Sequence, residues 1–391
     1  MKGNETGAAA GDGLPPLAEE IRRRIRESGR PGRTEDGRKV MCVSFRDYMF
    51  LCLYHPKYGY YSGDRIRTGR EGDFYTSAYV GGVMGEVLAD RLAVMAGERF
   101  PGAPRVEVID YGGGAGRLSR QMLDRWAEMG EAGERFVLTL VDGNPAHRQA
   151  AAELLEPYAR EGRARVLSAA EAETENWKGR PVIIVANELL DAFPVIRLAR
   201  KEGRLWEQGV YAEEGGSFAF CLTELTDPEA ERWLETQKVR LREGQRTEIG
   251  LDAARWVAEM GIRLGEAVLI VIDYGDSTRE LTAGYRMDGT LLCYEKHTAS
   301  SDPFRRPGGQ DITAHVDFDL IRHYALSSGW SEIWYGTQKR FLVESGILGK
   351  LDAHGARDPF HPAARRNRAI RQLLLSDGMS ELFKVMVLAR K

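Results

Sequence analysis

Residues 106–116 read Val-Glu-Val-Ile-Asp-Tyr-Gly-Gly-Gly-Ala-Gly, and their reading decides the fold. An apolar strand ends in a carboxylate, Asp110, and runs into glycines at 112, 113, 114 and 116. Lacking a Cβ, such a turn lets bare backbone approach a ligand. The spacing is Gly112-x-Gly114-x-Gly116, and Arg117 stands where a G-x-G-x-x-G pattern needs its last glycine. That longer pattern belongs to dinucleotides, whose pyrophosphate rests on a helix N-terminus.

The shorter pattern, preceded by an acid, suits S-adenosylmethionine, which has no phosphate and carries a sulfonium and an amino-acid tail. A helical stretch, Leu118 to Met129, is followed by a second apolar run, Phe136 to Val141, that ends at Asp142. A carboxylate there can accept both ribose hydroxyls. Gly143, Asn144 and Pro145 then open the next helix. A simpler reading makes Asp142 an N-cap and the glycines a tight turn. The order strand, acid, glycines, helix, strand, acid favours the cofactor.

With 391 residues the chain has room for one large domain with insertions or for two domains. A formal net charge of −3 gives no support to a nucleic-acid binder held by bulk electrostatics. Cys42, Cys52, Cys221 and Cys293 have no paired short spacing, which points to a reducing compartment, expected to be the cytoplasm, and to no bound metal. No apolar run reaches the length of a bilayer span, so no membrane insertion is expected. Residues 1–16, rich in Gly and Ala, read as a disordered tail without a signal-peptide core or an Arg-rich presequence.

Strands are predicted at 105–110, 136–142, 164–168, 181–186 and 267–274, with helices at 116–129 and 145–160. This alternation is that of an α/β, doubly wound, Rossmann-like parallel sheet. Two late segments, 331–336 and 383–389, could close one edge antiparallel. Upstream, residues 17–100 read as a helical segment with a lid, including a helix over Phe45 to Tyr54 capped by Ser44. Residues 101–196 and 263–391 form the cofactor domain, and 197–262 read as a substrate or partner insertion after the fourth strand. An exposed apolar edge of that insertion could serve a homodimer.

Six separated signatures occur in order: Tyr58-Gly-Tyr-Tyr61, Gly72-Asp-Phe-Tyr-Thr-Ser77, Asn187-Glu-Leu-Leu-Asp-Ala-Phe-Pro-Val195, Ile272-Asp-Tyr-Gly275, Thr313-Ala-His-Val-Asp-Phe318 and Phe383-Lys-Val-Met386. In these the chain, from about residue 17 onward, resembles the MidA family of S-adenosylmethionine-dependent methyltransferases. The resemblance implies a seven-stranded methyltransferase sheet and, from the family's mitochondrial member, a protein arginine as methyl acceptor. Glycine motifs in the family usually read Glu-Leu-Gly-Pro-Gly-x-Gly, so Asp110 and Asp142 are each one methylene shorter than the usual Glu, and Gly113 replaces a proline. Two other functions stay open: methylation of a small molecule, and an assembly factor that binds the cofactor and docks a partner with little turnover.

The resemblance places Gly72, Asp73, Thr76 and Ser77 over the cofactor, although Thr76 or Ser77 would also serve as an ordinary helix cap. Asn187, Glu188 and Asp191 follow the fourth strand, at the carboxyl edge where ligands of open sheets sit. Carboxylates there can grip a planar guanidinium and take its proton, and Glu188 is the first candidate. Asp273 reads equally well as a strand-ending turn. His315 and Asp317 alternate and would share one face of a strand, with His315 as a proton acceptor or a structural histidine.

Overall fold

The computed structural model describes residues 16–63, 81–296, 298–352, 358, 360–375 and 381–390. The expected N-terminal tail therefore lies almost wholly outside the described residues, as do Gly72, Asp73, Thr76 and Ser77.

Seven strands form the main sheet: β1 (Val106–Tyr111), β2 (Phe136–Val141), β3 (Ala164–Leu167), β4 (Val182–Asn187), β5 (Ala267–Asp276), β6 (Ser331–Thr337) and β7 (Phe383–Arg390). Their order is β6-β7-β5-β4-β1-β2-β3, and the two-residue strand Val316–Asp317 pairs with the end of β5. Strands β1 to β5 are mutually parallel. Only β7 runs backwards, wedged between β5 and β6. The two late segments thus close this edge by antiparallel pairings, as expected, and the second reversal returns β6 to the direction of the parallel strands.

Because β-strand side chains alternate, each buried strand feeds two cores. In β4, Ile183 and Val185 face one side while Val182, Ile184 and Ala186 face the other. On the first side pack helices α3 (Val83–Arg99), α4 (Arg117–Glu128), α5 (Pro145–Arg160) and α8 (Pro362–Leu375). On the second pack α6 (Leu251–Arg263) and α7 (Phe318–Ser327). Each Val, Leu or Ile so buried contributes about 1.5–3 kcal/mol. This is the doubly wound arrangement the sequence predicts.

A second sheet departs from expectation. Strands 196–201, 204–212, 218–223 and 246–249 of the insertion pair with 31–33, 39–41 and 43–44 of the N-terminal segment. Regions read from the sequence as separate thus share one ladder, packed on α1 (Pro16–Glu27) and α2 (Phe45–Tyr54) through Ile21, Phe45, Tyr48, Met49, Val210 and Phe218. The N-terminal strands have two or three residues each, too few to show a periodicity. Helix α6, assigned to the insertion, packs instead against the main sheet.

Ser44 caps α2 as expected, its side chain accepting from the Asp47 amide at 3.0 Å. Ser44→Ala should lower unfolding free energy by about 1 kcal/mol in urea titrations. An unchanged midpoint would show that the cap does not hold α2.

Candidate functional site

The glycine loop leaves the carboxyl end of β1 beside the β1–β4 boundary, where the connections reverse direction. Gly112, Gly114 and Gly116 have φ of +77°, +56° and +82°, a left-handed backbone that side chains resist. At Gly112 a Cβ would also lie 2.8 Å from Leu189 Cδ1, so the loops after β1 and β4 touch. A Cβ at Gly113 would stand 2.8 Å from Leu140 Cγ and 2.9 Å from the Asp110 carboxylate. The proline usual in the family would not fit this backbone, which explains the departure.

The two acids hold this loop. Asp142 accepts from the Gly114 amide at 2.9 Å through Oδ2 and from the Asn144 amide at 2.7 Å through Oδ1, with His147 Nδ1 3.3 Å from Oδ1. An ionised carboxylate has further lone pairs, so Asp142 can still accept ribose hydroxyls. Asn144 caps α5, so the cap role the sequence offered to Asp142 belongs to its neighbour. Asp110 lies beneath the loop, almost wholly buried, accepting from Ser119 Oγ of α4 at 2.6 Å. Burial raises its pKa to about 6, against the Ser119 bond and with help from Asp142.

After β4 the chain turns at Glu188, whose φ of +53° is unusual for a residue with a side chain. Its amide donates to the Ile272 carbonyl of β5 at 2.8 Å, and Asn187 Nδ2 donates to Glu188 Oε1 at 3.3 Å. Asn187 Oδ1 is buried with no hydrogen-bond partner among the described residues. A buried acceptor without a donor is costly, and a ligand's N–H or O–H would satisfy it.

Asp273 at the end of β5 governs this turn. Its Oδ2 accepts the amides of Leu189, Leu190 and Asp191 at 3.2, 2.8 and 3.3 Å, and Oδ1 accepts that of Tyr274 at 2.8 Å. Asp273 thus holds the turn after β4 from the neighbouring strand. Asp191 is buried beside it, and burial raises its pKa to about 7. Burial and the charge of Asp191 raise Asp273 as well.

Sequence reasoning missed the residues that complete the site. Tyr54 of α2 donates to the Ala192 carbonyl at 3.0 Å and stacks on Tyr61, centroids 5.6 Å apart. Burial, and then the charges of Asp311 and Asp191, raise the hydroxyl pKa values of Tyr54, Tyr61 and Tyr294. For Tyr294 the order of the two acids is reversed. Two tyrosines of the N-terminal segment and one from a distant strand therefore share the field of the two buried acids. Within the tyrosine group at 58–61, Tyr60 is fully buried, whereas Tyr61 feels the charges of Asp311 and Asp191.

His315 stacks on Tyr274, with centroids 6.1 Å apart. Burial, followed by Arg286 and Lys384, lowers its pKa to about 4. It is neutral near pH 7 and a weak proton acceptor. Asp317 does not join it: its carboxylate caps α7 through the Asp319 and Leu320 amides and accepts from Thr278 and Trp233. Among the described residues no His, Cys, Asp or Glu cluster could hold a metal ion, and no helix is long and apolar enough to cross a membrane.

A family model for S-adenosyl-L-methionine-dependent methyltransferases matches residues 84–336. The chain belongs to that family. It is an α/β methyltransferase that uses S-adenosyl-L-methionine, and its resemblance to the MidA group holds. A crystal structure of a COG1565 superfamily member from Burkholderia thailandensis, bound to S-adenosyl-homocysteine, superposes with a TM-score of 0.82 at 30% identity, covering 96% of this chain and 92% of that one. Two curated relatives are named as mitochondrial protein arginine methyltransferases NDUFAF7. The Drosophila melanogaster homologue is 27% identical, covering 83% of this chain and 73% of its own. Its Danio rerio counterpart is 25% identical, covering 79% and 74%. These relatives overturn the cytoplasmic placement expected from the cysteines, because they are mitochondrial proteins.

Gly114→Val should weaken S-adenosylmethionine binding in calorimetry by on the order of 100-fold while far-ultraviolet dichroism stays native, since a branched residue at this φ costs about 1–3 kcal/mol. Unchanged affinity would remove the loop from the cofactor site. Asp191 holds its proton more tightly folded than unfolded, so its contribution to stability is present below about pH 4 and lost as pH rises through about 7. Asp191→Asn should therefore raise the melting temperature more at about pH 8 than at about pH 5. Equal gains at both would contradict the buried-acid reading.

Proposed function

We propose that this methyltransferase modifies an arginine side chain of a protein, with Glu188 and Asp191 receiving the guanidinium. The observation that carries the reading is the turn after β4. There Glu188 is held in a left-handed conformation at the carboxyl edge of the sheet, three residues before the buried Asp191, whose pKa burial raises to about 7. Backbone strain of this kind persists where the surrounding structure enforces it, and it concentrates at functional sites. The curated names of the mitochondrial relatives point to the same acceptor.

The residues fit the cofactor. Gly112, Gly114 and Gly116 form a cradle that side chains would fill or strain, Asp142 presents oxygens for ribose, and Asn187 Oδ1 awaits a donor. Gly72, Asp73, Thr76 and Ser77 remain the candidates for a lid, which would exclude water. S-adenosylmethionine, when bound, supplies an already electrophilic methyl group, so the protein's work is alignment and charge.

Ionised Glu188 and Asp191 would hold the guanidinium by charge-assisted hydrogen bonds and turn one nitrogen outward. Tyr54, Tyr61 and Tyr294 would flank the cation with ring faces, which attract it. A guanidinium must lose a proton around methyl transfer. A carboxyl group with a pKa of about 7 is matched to accepting one near neutral pH. His315, neutral and stacked on Tyr274, is the weaker candidate for that role.

Labelled S-adenosylmethionine incubated with the protein and a cell lysate should label a protein, and acid hydrolysis should yield methylarginine. Label in a small metabolite would refute the protein substrate, and tight cofactor binding with no labelled product would favour the docking role. Glu188→Gln should leave cofactor affinity unchanged and slow transfer by about 100-fold or more. Equal rates would remove Glu188 from the chemistry.

A further inference from the structure

The second sheet contains a pair of sulfurs that the methyl-transfer site does not use. Cys42 lies between strands 39–41 and 43–44 of the N-terminal segment, and Cys221 lies in strand 218–223 of the insertion. Both are buried and reduced, and with Tyr211 they form a small cluster of their own. Two glycines make the space. A Cβ at Gly32 would stand 2.7 Å from Cys221 Sγ and 3.0 Å from Cys42 Sγ, and one at Gly209 would stand 3.2 and 2.9 Å from the same atoms. Both sulfurs thus border the same two bare backbone positions, and Gly209 is the register partner of Cys221.

We propose that Cys42 and Cys221 form a reversible disulfide when the protein meets a peroxide, a redox modification site that ties the N-terminal segment to the insertion. The surroundings favour Cys42 as the attacking sulfur. The Cys221 thiol lowers the Cys42 pKa, and after the opposing effect of burial Arg30 and Thr223 lower it further. Arg30 is itself fixed, donating to Glu207 Oε2 at 2.6 Å and to Thr223 Oγ1 at 3.2 Å. Access comes from the sheet's edge, because strand 39–41 ends the hydrogen-bonded order, and edge elements open locally at low cost.

The chemistry balances within the pair. Thiolate Cys42 attacks one peroxide oxygen, the O–O bond breaks, and hydroxide leaves with a proton taken from the Cys221 thiol, forming water and a Cys42 sulfenic acid. Cys221 sulfur then attacks the Cys42 sulfur, the S–S bond forms, the S–O bond breaks, and hydroxide leaves to combine with the proton first released by Cys42. Two thiols are oxidised by two electrons in all, and one peroxide is reduced to two waters. Cys42 stands three residues before α2, whose far end places Tyr54 on the Ala192 carbonyl, so the bond would brace the strap that bears on the acid site.

The full-length protein, reduced and then exposed to hydrogen peroxide, should yield a peptide joining residues 42 and 221 in non-reducing mass spectrometry, and dithiothreitol should reverse it. Cys52 and Cys293, each pushed up to about 12 by burial, are internal controls and should stay thiols. Cys221→Ser should halt at a sulfenic acid on Cys42 that dimedone traps. Recovery of Cys42 and Cys221 as free thiols, as separate sulfinic acids, or linked to other cysteines would overturn the proposal. The wild-type peptide map decides the matter even if the variant fails to fold.

Discussion

One carboxylate organises the working end of this molecule. Asp273, wholly buried at the end of β5, gathers three consecutive amides of the turn after β4 and a fourth from Tyr274. The three turn amides cannot be met by strand pairing, because the chain there has left the sheet, and a buried unpaired N–H is costly. Meeting them on a neighbouring strand fixes the turn that bears Asn187, Glu188 and Asp191. Leu189 of the same turn then presses on Gly112, so the geometry of one loop is passed to the other.

The glycine loop obeys a similar economy. Asp142 holds it through the Gly114 amide, Asp110 is fixed beneath it by Ser119 of α4, and a Cβ at Gly113 would crowd Leu140 and the Asp110 carboxylate. Shorter acids are therefore consistent with a loop that sits close to both strand ends. The acids are not spare charges waiting for a ligand; each already has a protein donor, and the cofactor would be added to a network that stands without it.

The site is also a place where burial works against ionisation. Asp191, Asp273 and Asp110 all hold protons above the ordinary carboxylate range. Such groups cost stability at neutral pH and return something only when a cation enters, because an opposite charge favours the ionised form. A sulfonium and a guanidinium are both cations. In the proposed reaction, substrate and donor would both relieve the unfavourable burial of these acids.

The central sheet was legible from residues alone because apolar runs punctuated by Asp, Gly and Pro leave a local record of each strand and helix. The glycine loop, the Ser44 cap and the turn at Asn187–Asp191 were legible for the same reason: short-range chemistry demands particular residues at fixed spacing. Other features had no such record. Strands 31–33 and 39–41 are too brief to announce themselves, and their pairing with the insertion is made by backbone groups that every residue carries. Tyr54, Tyr61, Tyr294 and Asp311 meet Asp191 only because separate segments converge, and Asp317 left the expected histidine face because a helix cap claimed its oxygens. Local periodicity and turn chemistry wrote the scaffold into the sequence, whereas burial, charge and convergence, which are long-range, were decided only when the chain folded.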